Sequence, residues 1–379
     1  MLFDLTPEQQ LVQKLARDFA QNEVAPIAAE IDRDSRFPQE TVDKLFRYGF
    51  FGICCPREYG GAGGDTMSYV LMLEELAKCC ASTAVITSVH GGLCMYLLNR
   101  FGSGEQKAQW LPRMNRDTLC SFALTEPDAG TDAGTVSTMA LREGEDYVLN
   151  GSKTFITNAG HAGLYIILAS TDRTKGTKGI TAFLVSADNP GLTVGPPEEK
   201  MGLHASATCE VVLQDCRVPV CDRLGREGEG MKIALSGLDC GRIGIATQSV
   251  GIAQGAIDQT KEYVSQRVQF GRRISQFQNT QFVLASLQTK TDAARLLAWR
   301  AAALRDGGKP FGQEAAMAKL FASETANEVT RACLQLFGGY GYTRAYPIER
   351  MMRDAKVTEI YEGTSEAQKI VISRAMGVR

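Results

Sequence analysis

Residues 147–185 read YVLNGSKTFITNAGHAGLYIILASTDRTKGTKGITAFLV, and they give the main indication of the fold class. It consists of short β-branched and aromatic runs separated by turn residues, a pattern typical of strands. The runs are Tyr147–Leu149, Thr154–Thr157, Tyr165–Leu168 and Ala182–Val185. Asn150-Gly151, between the first two runs, predicts a tight β-hairpin. We therefore predict a small β domain in this part of the chain.

Helical patterns flank the β segment on both sides. Thr6-Pro7-Glu8-Gln9 has the form of a capping box with proline at the first helical position, and a second helix is predicted after Asp65. Further helices are predicted up to about Gln266, after Asn279, and over 313–336. Because helices and strands are segregated, the pattern predicts an α+β fold. The expected domains are an N-terminal helical domain (1–120), a middle β-barrel or sandwich domain (121–226) and a C-terminal helical bundle (227–379).

Composition excludes several classes of protein. The chain of 379 residues carries 41 basic and 43 acidic side chains, a balance that gives no reason to expect nucleic-acid binding. No apolar run approaches the ~20 residues of a membrane helix, so no membrane span is expected. The start, Met1-Leu2-Phe3-Asp4, lacks the pattern of a signal peptide. The 11 cysteines include no C-x-x-C spacing and indicate reduced thiols in a cytosolic protein.

The segment TEIYEGTSEAQ, residues 358–368, carries the clearest chemical signal. Three carboxylates near a C-terminus normally form a solvated helix face. Ser365 and Gln368, however, match a capping box that starts a helix at about Glu366. Glu362 then precedes the helix, where partial desolvation would raise its pKa toward that of a useful base. The N–H groups at the helix start are suited to bind a phosphate.

Three other segments are ambiguous by themselves. The loop 124–134 is rich in turn residues and fits either a ligand-binding loop or an ordinary connection. Arg267, Arg272 and Arg273 fit either a phosphate site or a solvated helix end. The segment 335–341 fits a plain helix stop or a close approach of the backbone to a ligand.

Six segments in order nevertheless resemble the acyl-CoA dehydrogenase family, in particular its short-chain (butyryl-CoA dehydrogenase) branch. They are FALTEPDAGTD (122–132), NGSKTFITN (150–158), DCGR (239–242), RVQFG (267–271), QLFGG (335–339) and IYEGTSE (360–366). The resemblance implies a helical domain, a β domain and a C-terminal four-helix bundle, assembled as a homotetramer. It also implies FAD between the β domain and the bundle, an acyl-CoA substrate, and electron-transferring flavoprotein as the redox partner.

The resemblance also implies roles for individual residues. Those expected to line the flavin and its pyrophosphate are Phe122, Leu124, Thr125, Gly130, Thr131, Phe155, Ile156 and Thr157. Those expected at the adenine side are Arg267, Phe270 and Gln278, with Gln335, Gly338 and Gly339 contributed by a neighbouring subunit. Thr364 and Glu366 fall at the helix start beside the cofactor. The expected substrate contacts are Thr131, Asp239, Arg242, Tyr361 and Gly363, and the expected catalytic base is Glu362.

In the implied reaction, Glu362 removes the α proton of the acyl thioester while the flavin accepts the β hydride. Gly241 occupies the position of the base in another branch, and 87–92 lacks the arginine that decarboxylating relatives carry, which favours short neutral acyl chains. Three alternatives differ in direction or class. They are an enoyl-CoA reductase working in reverse with electron-transferring flavoprotein, an acyl-CoA oxidase, and a non-catalytic flavin- or CoA-binding protein. The sequence leaves open both aliphatic and aromatic acyl groups. A bacterial cytoplasmic location is expected.

Overall fold

The computed structural model describes residues 4–378, and Met1–Phe3, part of the segment predicted not to be a signal peptide, lie outside them. The N-terminal helices are α1 (Pro7–Phe19), α2 (Ala28–Arg33), α3 (Gln39–Arg47), α4 (Thr66–Cys79), α5 (Ala81–Thr87), α6 (Met95–Phe101) and α7 (Gly104–Arg116). The predicted capping box at α1 is confirmed, since Thr6 and Gln9 exchange hydrogen bonds between side chain and backbone. Asp65 caps α4 by accepting the Ser68 N–H.

One prediction about apolar runs needs correction. A π-helical segment, Ser88–Cys94, joins α5 to α6, so that 81–101 forms a continuous helical run whose most apolar window has a mean hydropathy of 1.3. By length and composition this run could cross a membrane. However, 89% of its most apolar window is buried inside the protein. It therefore has the environment of a core helix, packed between the N-terminal helices and the rest of the fold.

The middle part of the chain forms one mixed sheet. Its strands are β1 (Cys120–Ala123), β2 (Met139–Glu143), β3 (Asp146–Thr157), β4 (Leu164–Ser170), β5 (Ile180–Ser186), β6 (Leu192–Pro197), β7 (Thr208–Pro219) and β8 (Arg223–Leu224). The strand order is β6-β7-β3-β2-β4-β5-β8, and β1 pairs in parallel with β4. All seven residues of β4 are buried, because sheet and helices cover both of its faces.

The predicted hairpin at Asn150-Gly151 is wrong. β3 runs straight through both residues, and a register shift against β7 marks a bulge at Asn150. Asn150 Oδ1 accepts the N–H of Asp215 at 2.8 Å, so its side chain serves the bulge rather than a turn. A Cβ at Gly151 would lie 2.6 Å from Thr138 Oγ1, so glycine is required by close packing. The chain reverses at Gly144 instead, where φ is +62°.

The C-terminal part is built on three long helices, as the sequence predicts. They are α8 (Gly230–Gln266), α9 (Gln278–Asp306) and α10 (Gly312–Phe337), followed by α11 (Ile348–Lys356) and α12 (Ser365–Ala375). A small hairpin of β9 (Val268–Gln269) and β10 (Arg272–Arg273) separates α8 from α9. α8 is buried almost all round from 240 to 253, because α4, α9 and α10 pack around it. The predicted α+β fold of helical, β and helical parts is confirmed, while the exact domain limits remain a prediction.

Candidate active site

Glu362 lies in the short connection between the turn Val357–Glu359 and α12. Its φ is +53°, in the left-handed region that residues other than glycine rarely occupy. Such a conformation costs about 1–3 kcal/mol and persists only where the surrounding structure holds it. Gly363 follows with φ of +89°, which glycine adopts without strain. The consequence is a tight bend that turns the Glu362 side chain toward α8.

The start of α12 differs from the prediction. Its N-cap is Thr364, whose Oγ1 accepts the Ala367 N–H at 3.3 Å, so the predicted capping box of Ser365 and Gln368 is wrong. Gln368 Nε2 instead donates to the carbonyl oxygens of Glu362 (3.1 Å) and Gly363 (2.8 Å). The glutamine side chain is therefore committed to the connection before the helix and not to the helix cap.

The Glu362 carboxylate is held in a nearly dry environment. Oε2 is buried and has no hydrogen-bond partner among the described residues, although the residue as a whole is only half-buried. Burial raises the pKa of Glu362 to about 7, against the opposing effect of the positive charges of Arg242 and Lys319. A carboxyl group with a pKa near neutrality matches the requirement for a general base at physiological pH.

Gly241 of α8 provides the space for this carboxylate. A Cβ built on Gly241 would lie 2.3 Å from Glu362 Oε2 and 2.8 Å from its carboxyl carbon. Real side chains do not approach so closely, so any larger residue here must displace the carboxylate. The Glu362 carboxylate therefore occupies the space that a side chain at position 241 would need.

We expect Gly241→Ala to lower the rate of substrate oxidation about 10²-fold, the size of effect that a misplacement of about 1 Å can cause. The fold should not suffer, because alanine favours the helix by about 1 kcal/mol over glycine. Single-turnover kinetics and thermal melting measure the two effects separately. Gly237→Ala is the matched control, since the atoms nearest to its Cβ belong to the Leu97 side chain, the first at 2.9 Å. Equal losses in both variants would contradict this role of Gly241.

Three predicted substrate contacts surround Glu362. Arg242 is 6% exposed, donates to Asp239 through Nη1, and leaves a buried Nε without a partner among the described residues. Burial raises the pKa of Asp239, with Arg242 opposing it. The Tyr361 hydroxyl donates to Gln248, which in turn bonds the Ala81 carbonyl at 2.8 Å. The structure thus brings Asp239, Arg242 and Tyr361 close to the predicted base.

The β domain contributes a second surface. The Thr154 N–H donates to the Thr125 carbonyl at 2.9 Å, which joins the end of β1 to β3. A bulge follows at Phe155, whose φ is +58° and whose side chain is 64% exposed. Thr157 is half-buried, and its carbonyl accepts the Ser121 hydroxyl at 2.8 Å. The predicted flavin-facing residues Thr125, Phe155 and Thr157 therefore lie on adjacent, connected backbone.

Phe122 and Leu124 belong to the packing shared by the β domain and the C-terminal helices. Leu124 is buried in a hydrophobic cluster that also includes residues of α8 and α10, and both Phe122 and Tyr361 pack against that cluster. Ile156, in contrast, is 2% exposed and belongs to another cluster, so only its backbone can contact a ligand. Gly130 and Thr131 lie on the exposed part of the loop after β1.

A buried ion pair supports the same loop. Lys153 Nζ donates to Glu126 Oε1 at 2.7 Å and to the Leu124 carbonyl at 3.2 Å. Glu126 also accepts the N–H and hydroxyl groups of Ser137 and Thr138. Lys153 is 0% and Glu126 3% exposed. Burial opposes ionisation of Glu126, but the Lys153 charge and these hydrogen bonds outweigh it and hold its pKa at about 2.

Arg267, one of the residues predicted at the adenine side, lies at a separate cavity of about 570 Å³. Its lining includes Arg267, Gln335, Gly338 and Gly339, and the Arg267 guanidinium lies 5.4 Å from the centre of the Tyr340 ring. Arg267 and Gln335–Gly339 of one chain therefore lie side by side at this cavity. The division of these residues between two subunits around a cofactor stays a prediction.

Three remaining predicted residues lie on the surface. Phe270, at the tip of the β9–β10 hairpin, is 94% exposed, and Gln278 is exposed at the start of α9. Glu366 is exposed in the first turn of α12. None of the three lines the cavity at Arg267. Their predicted roles depend on a cofactor or neighbouring subunit that covers these surfaces.

Sequence reasoning missed four residues that the structure places in or beneath the site. Glu126 and Lys153 occur inside the recognised segments, but 27 positions apart, with no pattern that pairs them. Lys319 and Gln368 bond the carbonyls of the Glu362–Gly363 connection. A lysine inside an amphipathic helix is usually solvated, so Lys319 gave no signal.

Comparison with known proteins identifies the family. Residues 6–118, 121–216 and 228–377 match the N-terminal, middle and C-terminal domains of acyl-CoA dehydrogenase. The chain is 52% identical to a short-chain specific acyl-CoA dehydrogenase of Clostridium acetobutylicum, over 98% of this chain and 99% of the relative. It is 49% identical to an NADH-dependent acryloyl-CoA reductase of Anaerotignum propionicum, over 99% of this chain and 95% of the relative.

Two solved structures are also very similar. Butyryl-CoA dehydrogenase from Megasphaera elsdenii matches with a TM-score of 0.98 and 46% identity, over 99% of this chain and 100% of that one. A chain from a study of the electron-transferring flavoprotein of Acidaminococcus fermentans matches with a TM-score of 0.98 and 47% identity, over 99% of both chains. Sequence, fold and site agree, and this chain belongs to the acyl-CoA dehydrogenase family.

Proposed function

We propose that this protein is an FAD-dependent dehydrogenase of short-chain acyl-CoA thioesters, of the type that converts butyryl-CoA to crotonyl-CoA. The observation that carries the proposal is the buried, unpartnered Glu362 carboxylate, whose pKa is about 7. Such a group is costly unless a ligand uses it. The similarity to short-chain and butyryl-CoA dehydrogenases supports the substrate class.

The residues present fit a flavin. Phe155 offers an exposed aromatic face at a strained bulge, and the buried Lys153–Glu126 pair fixes the backbone next to it. The cavity at Arg267 offers a guanidinium and a glycine backbone, which suit the phosphates of a dinucleotide. When bound, the flavin supplies the acceptor for the hydride that leaves the β carbon.

The chain itself supplies the base and the carbonyl polarisation. Glu362 takes the α proton through its unpartnered Oε2. The Glu362 backbone N–H has no acceptor among the described residues, so it is available to the thioester oxygen, where negative charge develops. Arg242, anchored by Asp239, places a positive charge beside the carboxylate and favours its ionised form before the proton is taken.

A neutral acyl chain fits the region around 87–92. His90 is the group there that could carry a charge, but it is fully buried. Its Nδ1 accepts the Cys120 N–H at 3.0 Å, and its Nε2 lies 2.9 Å from the Met114 carbonyl, so one nitrogen accepts and the other donates. Burial lowers the pKa of His90 to about 4, which keeps the ring neutral. His90 therefore offers no charge to an acyl carboxylate.

The pH dependence follows from the raised pKa of Glu362. The carboxylate form, which accepts the proton, increases as pH rises through about 7. We expect kcat/KM for butyryl-CoA to rise across this range and then level off, since this ratio reports the free enzyme. Steady-state kinetics over a series of buffers measure it. The acid side of this profile, called the acid limb below, reports the apparent pKa of the base. An apparent pKa close to the ordinary glutamate value of about 4.3 would contradict the assigned environment of Glu362.

The proposed function is tested by anaerobic mixing of the purified flavoprotein with acyl-CoA thioesters from C4 to C16. Loss of the oxidised flavin absorbance should be fastest with C4 and should weaken with chain length. A flavoprotein that binds butyryl-CoA without bleaching would instead be a non-catalytic binding protein. Rapid reaction of the reduced flavin with oxygen would indicate an acyl-CoA oxidase.

A second candidate is an enoyl-CoA reductase that uses the same base and flavin in the opposite direction. The specific observation in its favour is the 49% identity to an acryloyl-CoA reductase. Rates of oxidation and reduction with the physiological redox partner decide between the two directions.

We further propose electron-transferring flavoprotein as this partner, a homotetrameric assembly, and a bacterial cytoplasmic location. The similarity to a chain studied with an electron-transferring flavoprotein supports the first. The exposed apolar side chains of Phe270 (94%), Tyr342 (87%) and Phe282 (60%) support an assembly that covers them. Free thiols at all 11 cysteines support a reducing compartment. Analytical ultracentrifugation, alone and with the flavoprotein, tests the assembly and the partner.

A further inference from the structure

Two buried side chains hold the backbone of the Glu362–Gly363 connection. Lys319 Nζ, from α10, donates to the Gly363 carbonyl at 2.7 Å. Gln368 Nε2, from α12, donates to the same carbonyl at 2.8 Å and to the Glu362 carbonyl at 3.1 Å. Both side chains are 0% exposed. The carbonyl oxygens of both Glu362 and Gly363 therefore accept a hydrogen bond from a buried side chain.

These bonds act on a strained segment. Glu362 has φ of +53°, and relaxation to an ordinary conformation would rotate the neighbouring peptide planes. Such a rotation would carry the carbonyl oxygens away from Lys319 and Gln368 and leave buried donors unsatisfied. An unsatisfied buried donor is unfavourable, and more so when it is charged. The two donors therefore favour the strained conformation of Glu362.

Lys319 also bears on the charge of Glu362. Burial lowers the pKa of Lys319 to about 8, while the nearby Glu362 raises it, so the side chain is mostly a cation at neutral pH. The titratable and charged groups that face Glu362 are Arg242 and Cys240 of α8, Cys94 of the π-helical segment, Lys319 of α10 and the adjacent Tyr361. Arg242 and Lys319 are the two that favour the carboxylate form.

We propose that Lys319 is a positioning residue of the dehydrogenation reaction, which with Gln368 fixes the Glu362–Gly363 peptide planes and so aims the carboxylate and backbone N–H of Glu362 at the substrate. This inference rests on the proposed function. Lys319 contacts no reacting atom in this arrangement and acts through the backbone and through its charge. Its removal should therefore affect the rate and its pH dependence more than the binding of the CoA thioester.

The test compares Lys319→Met, which removes donor and charge, with Lys319→Gln, which keeps a donor without the charge. Lys319→Met should slow single-turnover flavin reduction by butyryl-CoA about 10- to 100-fold, as expected for a misplaced catalytic group. The acid limb should move up by roughly one pH unit in both variants, because one cation near a buried carboxylate is lost. Lys319→Gln should lose less rate. The dissociation constant of crotonyl-CoA should stay within about threefold of the wild type, well under the tenfold that corresponds to 1.4 kcal/mol.

Lys290→Met is the matched control, since Lys290 is an exposed lysine that pairs with Glu328 on the surface of the same bundle. It should leave both rate and pH profile unchanged. Flavin content and melting temperature establish that each variant is folded. If Lys319→Met does not fold, Gln368→Met decides, because it removes the donor to both carbonyls without changing a charge. Gln368→Met should slow the reaction and leave the acid limb in place.

An infrared titration separates this inference from the proposed function. The carboxyl band of Glu362, isolated by subtraction of the Glu362→Gln spectrum, reports its protonation without substrate turnover. The pH at which half of the Glu362 carboxyl groups are protonated, the midpoint of this titration, should rise in Lys319→Met. A folded Lys319→Met protein with wild-type rate and wild-type midpoint would overturn the inference, as would a wild-type rate in Gln368→Met. If no acyl-CoA bleaches the wild-type flavin, the proposed function fails, while the midpoint still reports on Lys319.

Discussion

Replacement of Glu362 by glutamine is expected to slow flavin reduction by butyryl-CoA by about 10²–10⁴-fold or more, the usual contribution of a general base. Glutamine keeps the size and the backbone of glutamate, but its amide cannot accept a proton at neutral pH. The change also removes the group whose burial without a partner is costly, so the folded protein should be at least as stable as the wild type. Stopped-flow absorbance under anaerobic conditions measures the rate.

Glu359→Gln is the matched control for this variant. Glu359 lies three residues earlier and pairs with the exposed Lys356. It should retain the wild-type rate, and binding of crotonyl-CoA should be similar in all three proteins. Near-normal turnover in Glu362→Gln would remove this residue from the role of base.

Replacement of Lys153 by methionine is expected to have the largest effect on stability. It leaves the Glu126 carboxylate buried beneath the loop after β1 without its cation. Removal of one partner of a buried ion pair typically costs about 3–5 kcal/mol. The Leu124 carbonyl also loses its bond to the ammonium group, so the backbone that we propose faces the flavin should lose its support. Urea unfolding and the flavin content of the purified protein measure both effects.

The double variant Glu126→Gln/Lys153→Met should recover part of this loss, because no unpaired charge is then buried. The exposed pair Lys175–Asp172 supplies the control, since Lys175 is 63% exposed and such surface pairs contribute about 1 kcal/mol or less. A Lys153→Met protein with wild-type stability and full flavin content would contradict the supporting role of the Lys153–Glu126 pair.

The long helices and the segregation of the strands could be predicted because both depend on local patterns. The helical patterns of α8, α9 and α10 lie within each segment, and the Thr6–Gln9 capping box of α1 involves residues three apart. Glu362 could be singled out because glycine and an aromatic residue flank it before a helix. These features are all encoded within a few residues of one another.

The predictions that were wrong concern residues whose contacts are distant in the sequence. Asn150-Gly151 has the local form of a hairpin, but Asp215 of β7 and Thr138 supply contacts that favour a bulged continuous strand. Gln368 has the spacing of a capping box with Ser365, but the strained connection before the helix uses its amide. In both cases a tertiary contact outweighs a local preference.

The residues that support the site could not be predicted, because their contacts are also distant in the sequence. Lys319 is 44 residues from Gly363, and nothing in its own helix distinguishes it from a solvated lysine. The tight approach of Gly241 to Glu362 spans 121 positions and requires the packing of α8 against the C-terminal connection. The candidate base could be singled out from the sequence, whereas the geometry that holds it could not.

The central claim is that Glu362 removes the α proton of a bound acyl thioester. Its most direct test is exchange of the α protons of butyryl-CoA in D2O, followed by NMR in the presence of the flavin-loaded protein under anaerobic conditions. We expect the wild type to exchange the α position with solvent and Glu362→Gln to exchange it at least about 10²-fold more slowly. Equal exchange rates in the two proteins would contradict the claim.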